Sequence, residues 1–173
     1  MAGGIALSNS AWFSRLGQPL SVEDRAAAEG YAQTLALGRL QLQLVGDAAE
    51  AESATRDPDW DKGWWVSEEN ERKALMDEAR SRLGAEVVLD ALTVAVEPHT
   101  ETTYRQALRA PLLGASGEAL ARAASGALMM ALHCHALARL CGRGSTHLFM
   151  RKYELFSRGR WPLGVRDAKL LLF

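Results

Sequence analysis

The strongest periodic signal in the chain runs from Gly117 to Cys141. There Leu120, Ala124, Ala127, Ala131, Cys134, Ala138 and Cys141 recur at alternating spacings of four and three. That spacing puts all seven on one side of an α-helix, and their small size lets a neighbouring helix come close. Glu118, Arg122, Ser125 and His133 form a thin polar stripe on the opposite side, and Gly142 with Gly144 ends the helix.

Weaker patterns fill in the rest. Residues 1–20 read as an irregular arm with Trp12, Phe13 and Leu16 able to dock. Ser21, with Asp24 three residues on, resembles a capping box and opens a helix predicted over Val22–Val45. The end of that span, Leu40-Gln-Leu-Gln-Leu44, alternates as a strand would, but the long helical lead-in favours a helix. Ala48–Thr55 predicts a short helix, stopped by Asp57-Pro58. Trp60–Val66 reads as a loop, after which Ser67 is a good N-cap with Glu68, Glu69 and Glu71 in the first turn. The ensuing helix should run to Leu83 and close at Gly84. Ala85–Val96 is apolar enough for a buried helix or a strand and ends at Pro98; Glu101–Ala110 predicts another helix. Thr146 is placed to cap a last helix reaching Arg158. Two short extended pieces, Trp161–Val165 and Lys169–Phe173, then flank a turn at Arg166-Asp167, and such a hairpin must pack on the helices to persist. With no internal repeat and no linker, residues 1–173 predict one mainly α domain, a helical bundle with a C-terminal β-hairpin over 160–173.

A length of 173 residues, 48% hydrophobic and 24% charged, suits a soluble globular domain that buries its own core. The start, Met1-Ala-Gly-Gly-Ile-Ala-Leu7, lacks a basic stretch and a long apolar stretch, so no secretory signal is expected. No apolar run approaches the roughly 18 residues of a membrane span. Cys134 and Cys141 lie seven apart on one helix, roughly 10 Å along its axis, too far for a disulfide. Free thiols point to a reducing, cytoplasmic setting.

Charge changes the picture most. Asp47–Glu71 holds nine carboxylates against Arg56 and Lys62, and three of the five tryptophans. A net charge of −1 for the whole chain leaves about +6 elsewhere, and Arg139–Lys169 carries eight basic residues against Glu154 and Asp167. Acidic groups around large aromatic rings suit docking of a basic protein, since the rings supply anchor area and the charges steer encounter. The candidate partner-binding residues are Asp57, Asp59, Trp60, Asp61, Trp64, Trp65, Glu68 and Glu69. The competing reading is that the indoles plug the segment into the core, or that the two charged regions meet within the fold or across a homodimer.

Other constellations carry less. His133-Cys134-His135 and Cys141 offer no His/Cys pair at the i, i+3 or i, i+4 spacing that two helical zinc ligands need. A cysteine nucleophile needs an exposed, electropositive setting, and Cys134 sits among alanines instead. Glu97-Pro-His99-Thr-Glu101 places a histidine between two carboxylates and could form a small enzymatic or ligand pocket, as could His135. Asp57, Asp59 and Asp61 lack the glycine and twelfth-position glutamate of a calcium loop. The basic region, with Arg139, Arg143, Arg151, Lys152, Arg158, Arg160 and Arg166, could track phosphates, but no nucleic-acid motif accompanies it and nucleic acid is not the favoured partner. No phosphate loop, dinucleotide fingerprint or nucleophile elbow is present, and no metal or cofactor is expected. The expected function is therefore that of a non-catalytic cytoplasmic protein-binding domain, of the inhibitor, immunity-protein or adaptor kind. A basic enzyme or toxin is the natural partner for an acidic, tryptophan-rich face.

Overall fold

The computed structural model describes residues 11–56, 59–115 and 117–173. Its elements in order are α1 (Val22–Thr34), β1 (Gln41–Leu44), α2 (Ala48–Arg56), α3 (Lys62–Leu83), α4 (Ala85–Val96), α5 (Thr100–Arg109), α6 (Pro111–Gly114), α7 (Glu118–Leu140), α8 (Leu148–Ser157), β2 (Pro162–Arg166) and β3 (Lys169–Leu172). A 3-10 turn, Glu97–His99, joins α4 to α5. The fold is mainly α, with a small sheet at its C-terminal side.

Helix α7 is the central post, and the seam read from the sequence is its buried side. Leu120, Ala124, Ala131, Cys134, Ala138 and Cys141 are all buried, with Ala127 half-buried. Around α7 lie two hydrophobic clusters. One joins Trp12, Phe13 and Leu16 of the arm to α5, α6 and the aromatic residues Phe156, Trp161 and Phe173. The other joins α1, α3, α4 and α8 to Val165, Leu170 and Leu172 of the sheet. Ser125, expected in the polar stripe, is buried instead, its hydroxyl 3.0 Å from that of Thr103 on α5.

The expected helix over 22–45 stops at Thr34. Ser21 caps its start, accepting from the Asp24 N–H at 3.0 Å, but Ala36 and Gly38 both take positive φ (55° and 76°) and turn the chain back. The alternating residues after that turn form β1, because β3 supplies the ladder partner an isolated window cannot show. β1 runs parallel to β3 with Leu42 opposite Leu170, and β2 runs antiparallel to β3, giving the order β1-β3-β2. The expected hairpin thus gains a third strand. Asp167 and Ala168 turn it with φ of 50° and 56°, the two-residue left-handed turn whose twist matches the flanking strands.

Two other boundaries move. Trp60–Val66 is not a loop: α3 begins at Lys62, because Asp61 caps it by accepting from the N–H groups of Gly63 (2.7 Å) and Trp64 (3.2 Å). Ser67, the expected cap, lies inside the helix and donates its hydroxyl to the Leu35 carbonyl at 3.4 Å. Likewise His147 caps α8 in place of Thr146, its Nδ1 accepting from the Phe149 N–H at 3.2 Å.

Arg160 closes the architecture. Its side chain is 1% exposed and meets Asp24, which is fully buried, at 2.9 and 3.1 Å. The remaining guanidinium hydrogens go to the carbonyls of Arg15 (2.5 Å), Gln18 (2.6 Å) and Pro19 (2.8 Å). One side chain thereby ties the arm, α1 and the hairpin together.

Candidate functional site

The acidic, tryptophan-bearing segment becomes the start of α3 and the residues just before it. The Asp61 N–H donates to the Val165 carbonyl at 2.8 Å, which holds the helix start against β2. From that fixed point the helix period sorts the side chains into two sides.

Trp60, Trp64 and Glu68 turn inward. The Trp60 and Trp64 rings sit 5.7 Å apart and rest on Gly164, where a Cβ would come within 2.7 Å of one indole and 2.8 Å of the other. Trp64 Nε1 donates to Tyr31 Oη at 3.1 Å, and that hydroxyl donates to Glu68 Oε1 at 2.5 Å. Lys152 of α8 donates to both Glu68 oxygens at 2.8 and 2.6 Å, with its ammonium 5.7 Å from the Trp64 ring centroid. Burial, followed by the Glu68 charge and hydrogen bond, pushes the Tyr31 hydroxyl well above its ordinary pKa, so it remains a donor at physiological pH.

Trp65 and Val66 turn outward, 61% and 46% exposed. Beside them Glu69 accepts from Arg72 at 2.9 and 2.7 Å and lies 3.6 Å from Lys73. The Arg72 hydrogen bond is the main reason its carboxyl titrates below the usual range. Asp59 is exposed and also engaged in an interaction of its own. Asp57 lies outside the described residues. Of the eight expected residues, then, Trp65 faces outward freely, Glu69 does so in an ion-paired state, and Trp64 and Glu68 belong to an interior network.

The two oppositely charged regions meet inside one molecule. Besides Lys152 with Glu68, His147 Nε2 lies 2.9 Å from Glu71 and Arg143 pairs with Glu78. Arg151 and Arg158 share Glu154, each at 3.2 Å. Of the acidic segment, Glu68 and Glu71 are thus stitched to α8 and the residue before it, while Glu52 and Glu69 pair within their own helices and Asp47 and Asp61 accept from nearby backbone N–H groups.

Of the other candidates, Glu97 and Glu101 line one open pocket of about 600 Å³ together with Tyr104 and Arg122. His99 packs edge-on against Trp12 with ring centroids 5.7 Å apart, while Glu101 pairs with Arg105 one turn along. His135 is buried with its ring 4.4 Å from Tyr153, and burial, aided by the Arg139 charge, lowers its pKa to about 4. Its Nδ1 meets no hydrogen-bond partner among the described residues. Cys134 is pushed up to about 12, first by burial, and Cys141 donates to the Leu75 carbonyl at 3.3 Å. Among the described residues no three His, Cys, Asp or Glu side chains group to hold a metal ion, and no helix is long and apolar enough to cross a membrane.

One surface went unread in the sequence. Helix α4, expected as a buried helix or a strand, is a helix that buries Val88 and Leu92 and leaves Val87, Leu89 and Val94 exposed. The i, i+4 spacing of Val88 and Leu92 was available, but valines on every side of the helix masked it. The chain has no significant match among protein-family models, curated proteins or solved structures.

Proposed function

We propose that this chain is a non-catalytic protein-binding domain, of the inhibitor, immunity-protein or adaptor kind, whose partner seats on the outward side of the first two turns of α3. The observation that carries this reading is Trp65. An indole 61% exposed on a well-capped helix, next to a half-exposed valine, is a rigid apolar anchor ringed by charge. Anchors of that kind dominate interface energetics when a partner excludes water from them. Around the anchor Asp61 and Glu69 stand against Lys62, Arg72 and Lys73, with Glu69 itself paired to the last two, so charge gives a basic partner little steering there. Selectivity would therefore rest on the ring first and on charge second. The same reading puts the domain in the cytoplasm, supported by two cysteines that are free and buried.

The test compares tagged wild-type chain with Trp65→Ala, after a partner has been recovered from the producing cells and identified by mass spectrometry. Truncation of a central anchor costs about 2 kcal/mol or more, a loss of roughly 30-fold in affinity. Because Trp65 contributes little to the core, the variant should unfold at the wild-type temperature. Unchanged affinity of Trp65→Ala for the partner would refute the proposal.

A further inference from the structure

The two outer strands of the sheet end differently. β2 is buried along Pro162–Val165 and lies under Trp60 and Trp64. β1 presents a bare edge. Gln41 N donates to the Ala168 carbonyl at 3.0 Å and Val45 N to the Leu172 carbonyl at 2.9 Å, so Gln41, Gln43 and Val45 turn their backbone groups toward β3. Leu42 and Leu44, between them, turn their N–H and C=O groups the other way, where no described residue meets them.

A cleft of about 450 Å³ runs beside that edge. One wall is a face of α1 bearing Arg25, Glu29 and Gln33, and the other is Arg39 with the β1 residues Gln41 and Leu42. Neither Arg25 nor Arg39 makes an ion pair among the described residues. A helix face alongside a free strand edge is the groove in which an extended peptide binds by adding a strand: main-chain bonds supply affinity, and alternate side chains select.

We propose that the outer edge of β1 binds an extended acidic peptide as a fourth strand. Leu42 and Leu44 each offer one donor and one acceptor to its backbone, and Arg25 and Arg39 take its carboxylates. Alternate peptide side chains on one side repeat at roughly 6.8 Å, so acidic residues at every second position present a row of carboxylates to the cleft between Arg25 and Arg39. Charge decides between this occupant and a second copy of the chain. A two-fold pairing of β1 edges would set two clefts against each other in each of which Arg25 and Arg39 outnumber Glu29, whereas an acidic peptide neutralises the surplus.

The probe is a fluorescein-labelled, C-terminally amidated Glu-Val-Glu-Val-Glu-Val peptide titrated into the full chain, read by anisotropy and by amide exchange in 15N NMR. Saturable binding is expected, with exchange slowed at the Leu42 and Leu44 amides and affinity at least tenfold weaker for Arg25→Glu with Arg39→Glu. Trp65→Ala should bind the peptide as wild type does, which separates this site from the α3 surface. The proposal is overturned by no binding up to roughly millimolar peptide, or by equal affinity for a Lys-Val peptide or a backbone N-methylated one. Binding that leaves both amides unprotected, or protection caused by self-association without peptide, overturns it equally.

Discussion

Replacing Arg160 with methionine should cost this domain a large share of its stability. Methionine roughly fills the space of the side chain but leaves Asp24 buried with Arg15 at 3.3 Å and Arg158 at 4.0 Å, both partly solvated, as its remaining cations. Removing one partner of a buried pair costs about 3–5 kcal/mol, because the surviving charge has lost its solvation and its counter-ion together. The carbonyls of Gln18 and Pro19 lie on exposed residues and can turn to water, so they add little. Arg15 and Arg158 compensate in part, which places the expected loss near the lower figure, about 3 kcal/mol. Domains of ordinary stability have about 5–15 kcal/mol in all. The assay is urea unfolding at neutral pH, followed by circular dichroism with the slope held common.

Titration adds a second signature. Burial raises the Asp24 pKa, but the hydrogen bond and charge of Arg160, with help from Ser21 and Arg15, outweigh it and hold the carboxyl below its ordinary value of 3.8. A carboxyl with a depressed folded pKa stabilises fully above its unfolded pKa, and that contribution is lost as pH falls through the folded value. Wild type should therefore lose stability below about pH 4, and Arg160→Met should lose less, having little of this contribution left. In a double-mutant cycle with Asp24→Asn, the two losses should fall short of additivity by about 2 kcal/mol. A loss under about 1 kcal/mol in Arg160→Met, or additive losses in the cycle, would refute this account of the buried pair.

Two further outcomes follow from buried or strained groups. With the His135 pKa lowered from 6.5 to about 4, the unfolded chain takes up a proton before the folded one, so wild-type stability falls between those values; His135→Phe should abolish roughly 2–3 kcal/mol of that fall and gain about 1 kcal/mol at pH 7 by removing an unpartnered ring nitrogen. Melting temperatures at pH 7 and pH 5 check it, and parallel pH slopes for the two proteins would contradict it. Ala168 holds φ 56° in the hairpin turn, so Ala168→Gly should relieve about 1 kcal/mol and raise Tm by roughly 2–4 °C; an unchanged or lower Tm would count against backbone strain there.

What could be read from the chain was whatever its neighbours in sequence decide. The small-residue seam of α7 has a period that no packing partner is needed to reveal, and Ser21 and Gly84 mark helix ends by their own chemistry. The start of α3 was misread because Ser67 followed by three glutamates is a stronger local cap than Asp61, whereas the Asp61 N–H is fixed by Val165, a strand residue far along the chain. β1 failed for the same reason, its alternation becoming a strand only through β3. The segregation of charge was plain in the sequence, but not its destination. Glu68 could have met solvent or Lys152, and the packing of α3 beside α8 decides between them. Arg160 looked like one more basic side chain in a basic stretch, and nothing near it in sequence announces a buried partner in α1.

The parallel pairing of β1 with β3 has a consequence for how the polypeptide leaves the ribosome. β1 emerges early, yet the strand it needs follows only after α2 through α8 and β2 have been made. Throughout that interval both of its edges are unclaimed, and closing so long a loop is slow. Leu40-Gln-Leu-Gln-Leu44 is thus a stretch left open to chaperones, or to strands of other nascent chains, before the sheet is complete.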